Sequence, residues 1–254
     1  MRKQKELFIE VKMNHQTKIA LIVCAIIIII IATILFVVYY KGYSGLHKHT
    51  EAKEGQIKVA CIGDSITYGF GIGGWAKNNY PAQLQEILGD SYHVQNFGHS
   101  GRTLSNKGDK PYTESKQYKL SLEYDADVVV IMLGSNDSKE QNWNGVANFM
   151  EEYEYFIEKY KQNNPDVEII LCTPPKAFFV KDRKNQEETK FDIRPQIVES
   201  IKNEIRTFAL INGYKCVDIY SVTEYHNEWF PDGVHPSAEG ASAIAEAIAN
   251  KIKN

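Results

Sequence analysis

The sequence predicts an α/β domain with a doubly wound parallel sheet covered by helices on both faces, preceded by a separate apolar segment. Three observations carry this. Short runs rich in β-branched residues alternate with stretches of helical period. The runs are apolar almost throughout, as in strands buried on both faces. Ahead of them, residues 19–40 contain no charge at all.

In chain order, residues 1–18 form a basic tail, in which Arg2, Lys3, Lys5, Lys12 and Lys18 outweigh Glu6 and Glu10. Residues 19–40, "IALIVCAIIIIIIATILFVVYY", are greasy on every face. As a helix they would rise roughly 33 Å, enough to cross a hydrocarbon core of about 30 Å. The stretch is too long for the apolar core of a signal peptide, and no A-x-A-like site follows it. It reads as an uncleaved signal anchor. The basic flank keeps residues 1–18 cytoplasmic and sends residues 41–254 outside, which makes this a single-pass protein of the cell membrane. Tyr39, Tyr40 and Tyr43 suit the far interface.

Residues 41–55 are polar and unpatterned and read as a linker, leaving 56–254 as the folded domain. Its strands are expected at 56–63, 92–98, 127–134, 167–173 and 214–220, and its helices at about 79–88, 112–123, 145–162, 194–211 and 237–252. Apolar spacing in "FMEEYEYFIEKYK" and "IRPQIVESIKNEIRTFALI" gives each of those helices one buried face. Five such strands suggest a flavodoxin-like sheet, whose sites lie beyond the carboxyl ends of its strands. Residues 176–191 are a long charged connection after the fourth strand, read equally well as a rim over that edge or as a solvated loop.

With a net charge of −3 nothing points to nucleic acid. Cys24 lies in the apolar segment, and Cys61, Cys172 and Cys216 lie in strand-like runs as buried thiols, not in a disulfide framework. No ligand spacing supports a metal site, and no cofactor is expected.

The stretch "CIGDSITYGFGIGG" at 61–74 satisfies G-x-G-x-x-G at Gly69, Gly71 and Gly74. A dinucleotide loop should leave its strand directly and open into a helix, with an acidic residue near the tip of the next strand. Here "DSITY" intervenes, "WAKNNYP" does not read as a helix start, and the next tip is Asn96-Phe97-Gly98. The strand ends offer other chemistry. They carry "GDS", "NFGHSG" and "LGSND", and "PDGVHP" follows the fifth strand. Together these supply a hydroxyl at Ser65, amides beside Gly98, a side-chain amide at Asn136 and the pair Asp232 and His235. Acyl transfer needs that set: a nucleophile, an oxyanion hole and a base held by a carboxylate. Each residue alone has a plainer reading, as a turn, a cap or a surface histidine. Four such clusters at matching strand ends favour the catalytic one.

"GDSIT", "NFGHSG", "GSND" and "DGVH" resemble, in order, the four signature blocks of the SGNH (GDSL) hydrolase family. The resemblance spans nearly all of 56–254 and implies an α/β/α sandwich and a serine esterase. It implies Ser65 as nucleophile, His235 as general base and Asp232 as its orienting carboxylate. It also implies an oxyanion hole of the Ser65 amide, the Gly98 amide and the Asn136 side chain. "GHSGR" at 98–102 approaches the nucleophile elbow of another hydrolase fold, but Arg102 replaces its last glycine. Ser100 reads instead as a hydroxyl supporting Gly98.

Trp75, His99, Arg102, Lys107, Asp109, Lys110, Gln141, Asn142 and Trp143 are expected around the site, a polar set with two tryptophans that suits a sugar ring. "GSNDSKEQNW" looks like bacterial members of the family that remove O-acetyl groups from carbohydrates. The expected substrate is a small-molecule or glycan ester. The alternatives are a lysophospholipase or thioesterase-like acylhydrolase acting on lipid esters, and a non-catalytic glycan-binding domain.

Overall fold

The computed structural model describes residues 14–43, 47, 49–181 and 186–254. Residues 1–13 of the basic tail, 44–46 and 48 of the expected linker, 182–185 of the charged connection, and the side chains of Tyr39, Tyr40 and Tyr43 lie outside the described residues. Two compact units are present, up to Lys41 and from Gly42. The described residues of the first lie in helix α1 (His15–Tyr43), apart from Asn14 before it. Its apolar stretch has a mean hydropathy of 3.5, long and apolar enough to cross a membrane by length and composition.

The second unit is a five-stranded sheet of β1 (Ile57–Gly63), β2 (Tyr92–Gly98), β3 (Val128–Met132), β4 (Glu168–Cys172) and β5 (Lys215–Val217). The order is β2-β1-β3-β4-β5, and all neighbouring strands are parallel. This is the doubly wound order of flavodoxin-like sheets, with its switch point between β1 and β3. The helices around the sheet include α2 (Ser65–Tyr68), α3 (Tyr80–Leu88), α4 (Lys116–Glu123), α5 (Val146–Asn163), α6 (Pro195–Asn212) and α7 (Ala238–Lys253).

Alternation along the strands makes two cores. Val59, Cys61, Val128, Val130, Met132, Ile170 and Cys172 face Tyr80 and Leu84 of α3 and Ile244 and Ile248 of α7. Ala60, Ile62, Val129, Ile131, Ile169 and Leu171 face Phe149, Tyr153 and Phe156 of α5 and Ile201 and Ile205 of α6. Successive strand side chains point to opposite faces, so runs apolar throughout are what a sheet covered on both sides requires. Burial pushes the Cys61 thiol up to about 12 and Cys216 to about 11, which leaves both inert.

Three local expectations differ. Trp75–Asn78 does form one helical turn, ended where Asn79 turns extended to cap α3. The turn is too short to follow a dinucleotide loop, and α2 already separates the glycines from β1. The last strand stops at Val217, because Asp218 caps a short helix over Ile219–Thr223. The charged connection holds a two-stranded ribbon, Val180–Lys181 with Glu187–Glu188. Within the expected linker, His47 and His49 lie against the domain. His47 Nε2 is 3.0 Å from the Tyr68 carbonyl, and the His49 ring stacks on Phe97 at 4.5 Å.

Candidate active site

At the end of β1 the chain turns at once into α2, with Ser65 as its first residue. Asp64 caps the turn, its Oδ1 accepting from the Ile66 amide at 2.9 Å. Gly63 and Gly98 are register partners at the ends of β1 and β2. A side chain on Gly98 would lie 2.7 Å from the Thr67 carbonyl carbon and collide with the Tyr68 amide. Glycine there lets α2 rest directly on the sheet edge and fixes where Ser65 stands.

The histidine arrives from the loop before α7. Asp232 Oδ1 accepts from the amides of Val234 (2.9 Å) and His235 (2.7 Å), which closes a tight turn. That leaves Asp232 Oδ2 free to accept from His235 Nδ1 at 2.8 Å, and on the far side of the ring Nε2 is 2.8 Å from Ser65 Oγ. Burial pushes the Asp232 carboxyl up, but the hydrogen bonds from His235 and Val234 outweigh it and hold it below its ordinary value. Ser65 and His235 are both buried. The loop is locked from behind, with the Phe178 amide donating to the Gly233 carbonyl at 2.8 Å and Val234 packing against Ile193, Val198 and Tyr220.

Asn136 follows β3 and lines the same cleft. Its Nδ2 donates to Asp64 Oδ2 (3.2 Å) and to the Arg102 carbonyl (3.1 Å). Burial raises Asp64 to about 6 and Asp137 to about 7, the latter also pushed up by Asp64. Asp137 clamps the loop after β2 by accepting from the amides of Leu104 (2.9 Å) and Ser105 (2.8 Å). Neither carboxylate was singled out in the sequence, although both stand inside quoted strand-end motifs, flanked by apolar runs.

Gly98 is not where it was expected. Its amide donates to Asn96 Oδ1 at 2.8 Å, in a turn that Asn96 makes with its own backbone, and the residue is buried and not among those lining the cleft. The glycine that lines the cleft is Gly101, held at φ +77°. Among the described residues nothing accepts from the amides of Gly101 or Ser65. Ser100 also lines the cleft, but its Oγ has no partner among the described residues, so it does not support Gly98 as expected.

The tryptophans are displaced too. Trp75 stacks on Tyr68 at 5.5 Å, and Trp143 packs against Phe149 at 6.2 Å. The aromatic residues at the cleft are Phe70 and Phe191, with ring centroids 4.8 Å and 4.9 Å from the His235 ring. The glycine-rich stretch therefore presents a phenylalanine to the histidine. The cleft is small, about 50 Å³, and is lined by these rings, Ser65, His235, Ile193 and Val234, together with Ser100, Gly101, Ser135, Asn136 and Lys139.

Residues 61–243 match the model of the GDSL-like lipase/acylhydrolase family. The chain is 40% identical over 227 residues to an acetylxylan esterase of Xylanibacter ruminicola, covering 79% of this chain and 44% of that protein, so it spans less than half of that relative's length. It is 24% identical over 211 residues to the GDSL esterase/lipase CPRD49 of Arabidopsis thaliana, covering 77% of this chain and 78% of that one. Among solved structures, a putative arylesterase from Agrobacterium tumefaciens superposes with a TM-score of 0.64 at 22% identity, covering 78% of this chain and 99% of that one. The carbohydrate acetylesterase Est24 from Sinorhizobium meliloti does so with 0.61 at 21%, covering 78% and 99%. These two likenesses bear on the fold alone. The chain belongs to the GDSL-like lipase/acylhydrolase family.

Proposed function

We propose that this protein is a serine esterase that removes small acyl groups, acetyl above all, from carbohydrates. The observation that carries it is the relay itself: two 2.8 Å hydrogen bonds linking Ser65, His235 and Asp232 at the wall of a small cleft. The substrate class draws support from the 40% identity to an acetylxylan esterase.

In this reading Ser65 Oγ attacks the ester carbon while His235 Nε2 takes its proton. Asp232 holds the ring so that Nε2 faces the serine and stabilises the imidazolium that forms. The carbonyl oxygen becomes an oxyanion between the amides of Ser65 and Gly101, for which no acceptor is present among the described residues. Asn136 Nδ2 joins them by yielding its hydrogen bond to the Arg102 carbonyl. The alcohol departs with the proton from His235. Water then attacks the acyl-enzyme, with His235 again as base, and frees the acid.

The apolar helix α1 serves as a membrane anchor in this reading. Residues 1–18 stay cytoplasmic, 19–40 cross the membrane, 41–55 link, and 56–254 act outside. The test is hydrolysis of acetylated xylan and of p-nitrophenyl esters from acetate to laurate by the full chain in detergent. Turnover that is greatest on acetyl esters and lost in Ser65→Ala is expected. A rate that climbs with acyl length would replace the acetyl-glycan reading with a lipid one.

A further inference from the structure

We propose that Phe191 is the platform for the ring of the substrate's alcohol, so that the site selects esters whose leaving group is a sugar. The inference rests on the esterase reading above and adds which side of the cleft holds which part of the substrate. The histidine that takes the proton of Ser65 must return it to the departing oxygen, so that oxygen has to come within hydrogen-bond reach of His235 Nε2. The carbonyl oxygen lies at the other end of the reacting carbon, against the amides of Ser65 and Gly101. Side chains that touch the imidazole inside the cleft therefore meet the alcohol. Among the described residues two aromatic rings do so: Phe70, tilted at 53° to the imidazole, and Phe191, edge-on at 81°.

Of the two, Phe191 is the one offered to a ligand. It lines the cleft yet remains 46% exposed, an apolar ring left half in water at its mouth. Its backbone is held there against local preference. Phe191 (φ 60°) and Asp192 (φ 58°) are consecutive non-glycine residues in the left-handed region, and among the described residues Asp125 alone shares that feature. Such a conformation is unfavourable for a residue with a side chain and persists where the surroundings impose it. Here the imposed turn sets the ring against His235. A flat apolar face beside the departing oxygen fits the C–H face of a pyranose, while Ser135 and Lys139, which line the same cleft, offer polar partners to its hydroxyl groups.

The test compares two esters that share the acetyl group: ethyl acetate, whose alcohol has no ring, and an acetylated xylo-oligosaccharide. The full chain in detergent is assayed as wild type and as Phe191→Ala, Phe191→Leu and Phe191→Trp. Because Phe191 touches His235, both rates fall in the smaller variants, and the readout is the ratio of kcat/KM for the sugar ester to that for ethyl acetate. The ratio should drop about tenfold in Phe191→Ala and Phe191→Leu, mainly through KM, corresponding to roughly 1.4 kcal/mol. Phe191→Trp, which restores a flat ring, should hold it near the wild-type value. If the wild type prefers the sugar ester and the ratio stays constant across the variants, the platform is wrong while the carbohydrate reading stands. Should the ratio fall as far in Phe191→Trp, the ring face is not what matters, and the platform is again wrong. A wild type that cleaves ethyl acetate but not the sugar ester would sink the carbohydrate reading and the platform together.

Discussion

The two sides of the cleft are in different states of completion. On the relay side every polar atom is engaged: Asp232 uses both oxygens, and His235 both nitrogens. On the oxyanion side, the loop after β2 holds buried side-chain atoms without partners among the described residues, namely His99 Nδ1, Ser100 Oγ and Arg102 Nε. The amides of Ser65 and Gly101 wait beside them, and Asn136 spends its Nδ2 on the carbonyl of Arg102. A buried polar group without a partner costs roughly 1–3 kcal/mol. The contrast separates a relay whose hydrogen bonds are already made from a loop whose Ser100 hydroxyl, at the cleft, has no partner among the described residues; on the proposed mechanism that wall acts when negative charge develops. Burial lowers His99 to about 4, with the charges of Arg102 and Lys110 adding to it, so this wall keeps a neutral imidazole beside its cations at working pH.

The largest effect should come from the finished side. Ser65→Ala or His235→Ala should cut kcat by at least about 10⁴-fold without unfolding the chain. Steady-state kinetics beside a thermal melt checks both halves. Asn136→Ala should lose less, roughly 10²–10³-fold, as for removal of one oxyanion donor among several. An Asn136→Ala loss equal to that of His235→Ala would break the comparison, since the two walls would then act as one unit.

Two glycine variants sharpen it. Gly98→Ala should unfold at a markedly lower temperature, because its Cβ collides with the backbone of α2. Gly101→Ala meets only Lys110 Cδ, at 3.8 Å, and should lose about 1–2 kcal/mol from its left-handed φ while its kcat falls further than its stability. Equal melts for the two would contradict the placement of these glycines.

The smallest effect concerns pH. Asp64 and Asp137 are raised to about 6 and about 7 by burial, so between roughly pH 4 and 7 the folded protein binds more protons than the unfolded chain. Their contribution to stability is therefore full below the ordinary carboxylate value and is lost as pH rises through that window. Asp232, held low, works the other way, and its contribution is lost as pH falls through its folded value. Melts of Asp137→Asn between pH 4 and 7 should show a flatter loss of stability with rising pH than the wild type. An unchanged slope would remove Asp137 from the account.

Much of this was legible in the residues. The sheet was readable because strands buried on both faces are apolar throughout and helices buried on one face are not. Ser65, Asp232 and His235 were readable because their chemistry is local: a serine directly after a strand, and a carboxylate three residues before a histidine. Gly98 and Gly101 share one short block, and which amide is left unspent depends on the turn that Asn96 makes with its own backbone. Aromatic placement was hidden for a similar reason. Trp75 and Trp143 lie near the site in sequence but turn into the packing around Tyr68 and Phe149. Phe191 reaches the cleft through two left-handed residues that local preference argues against.

The most direct test of the central claim is to treat the full chain in detergent with a fluorophosphonate and locate the adduct by peptide mass spectrometry. The account predicts one adduct, on Ser65, absent from Ser65→Ala and formed far more slowly in His235→Ala. An adduct on Ser100 or Ser135, the other serines that line the cleft, would contradict it, as would labelling that ignores His235.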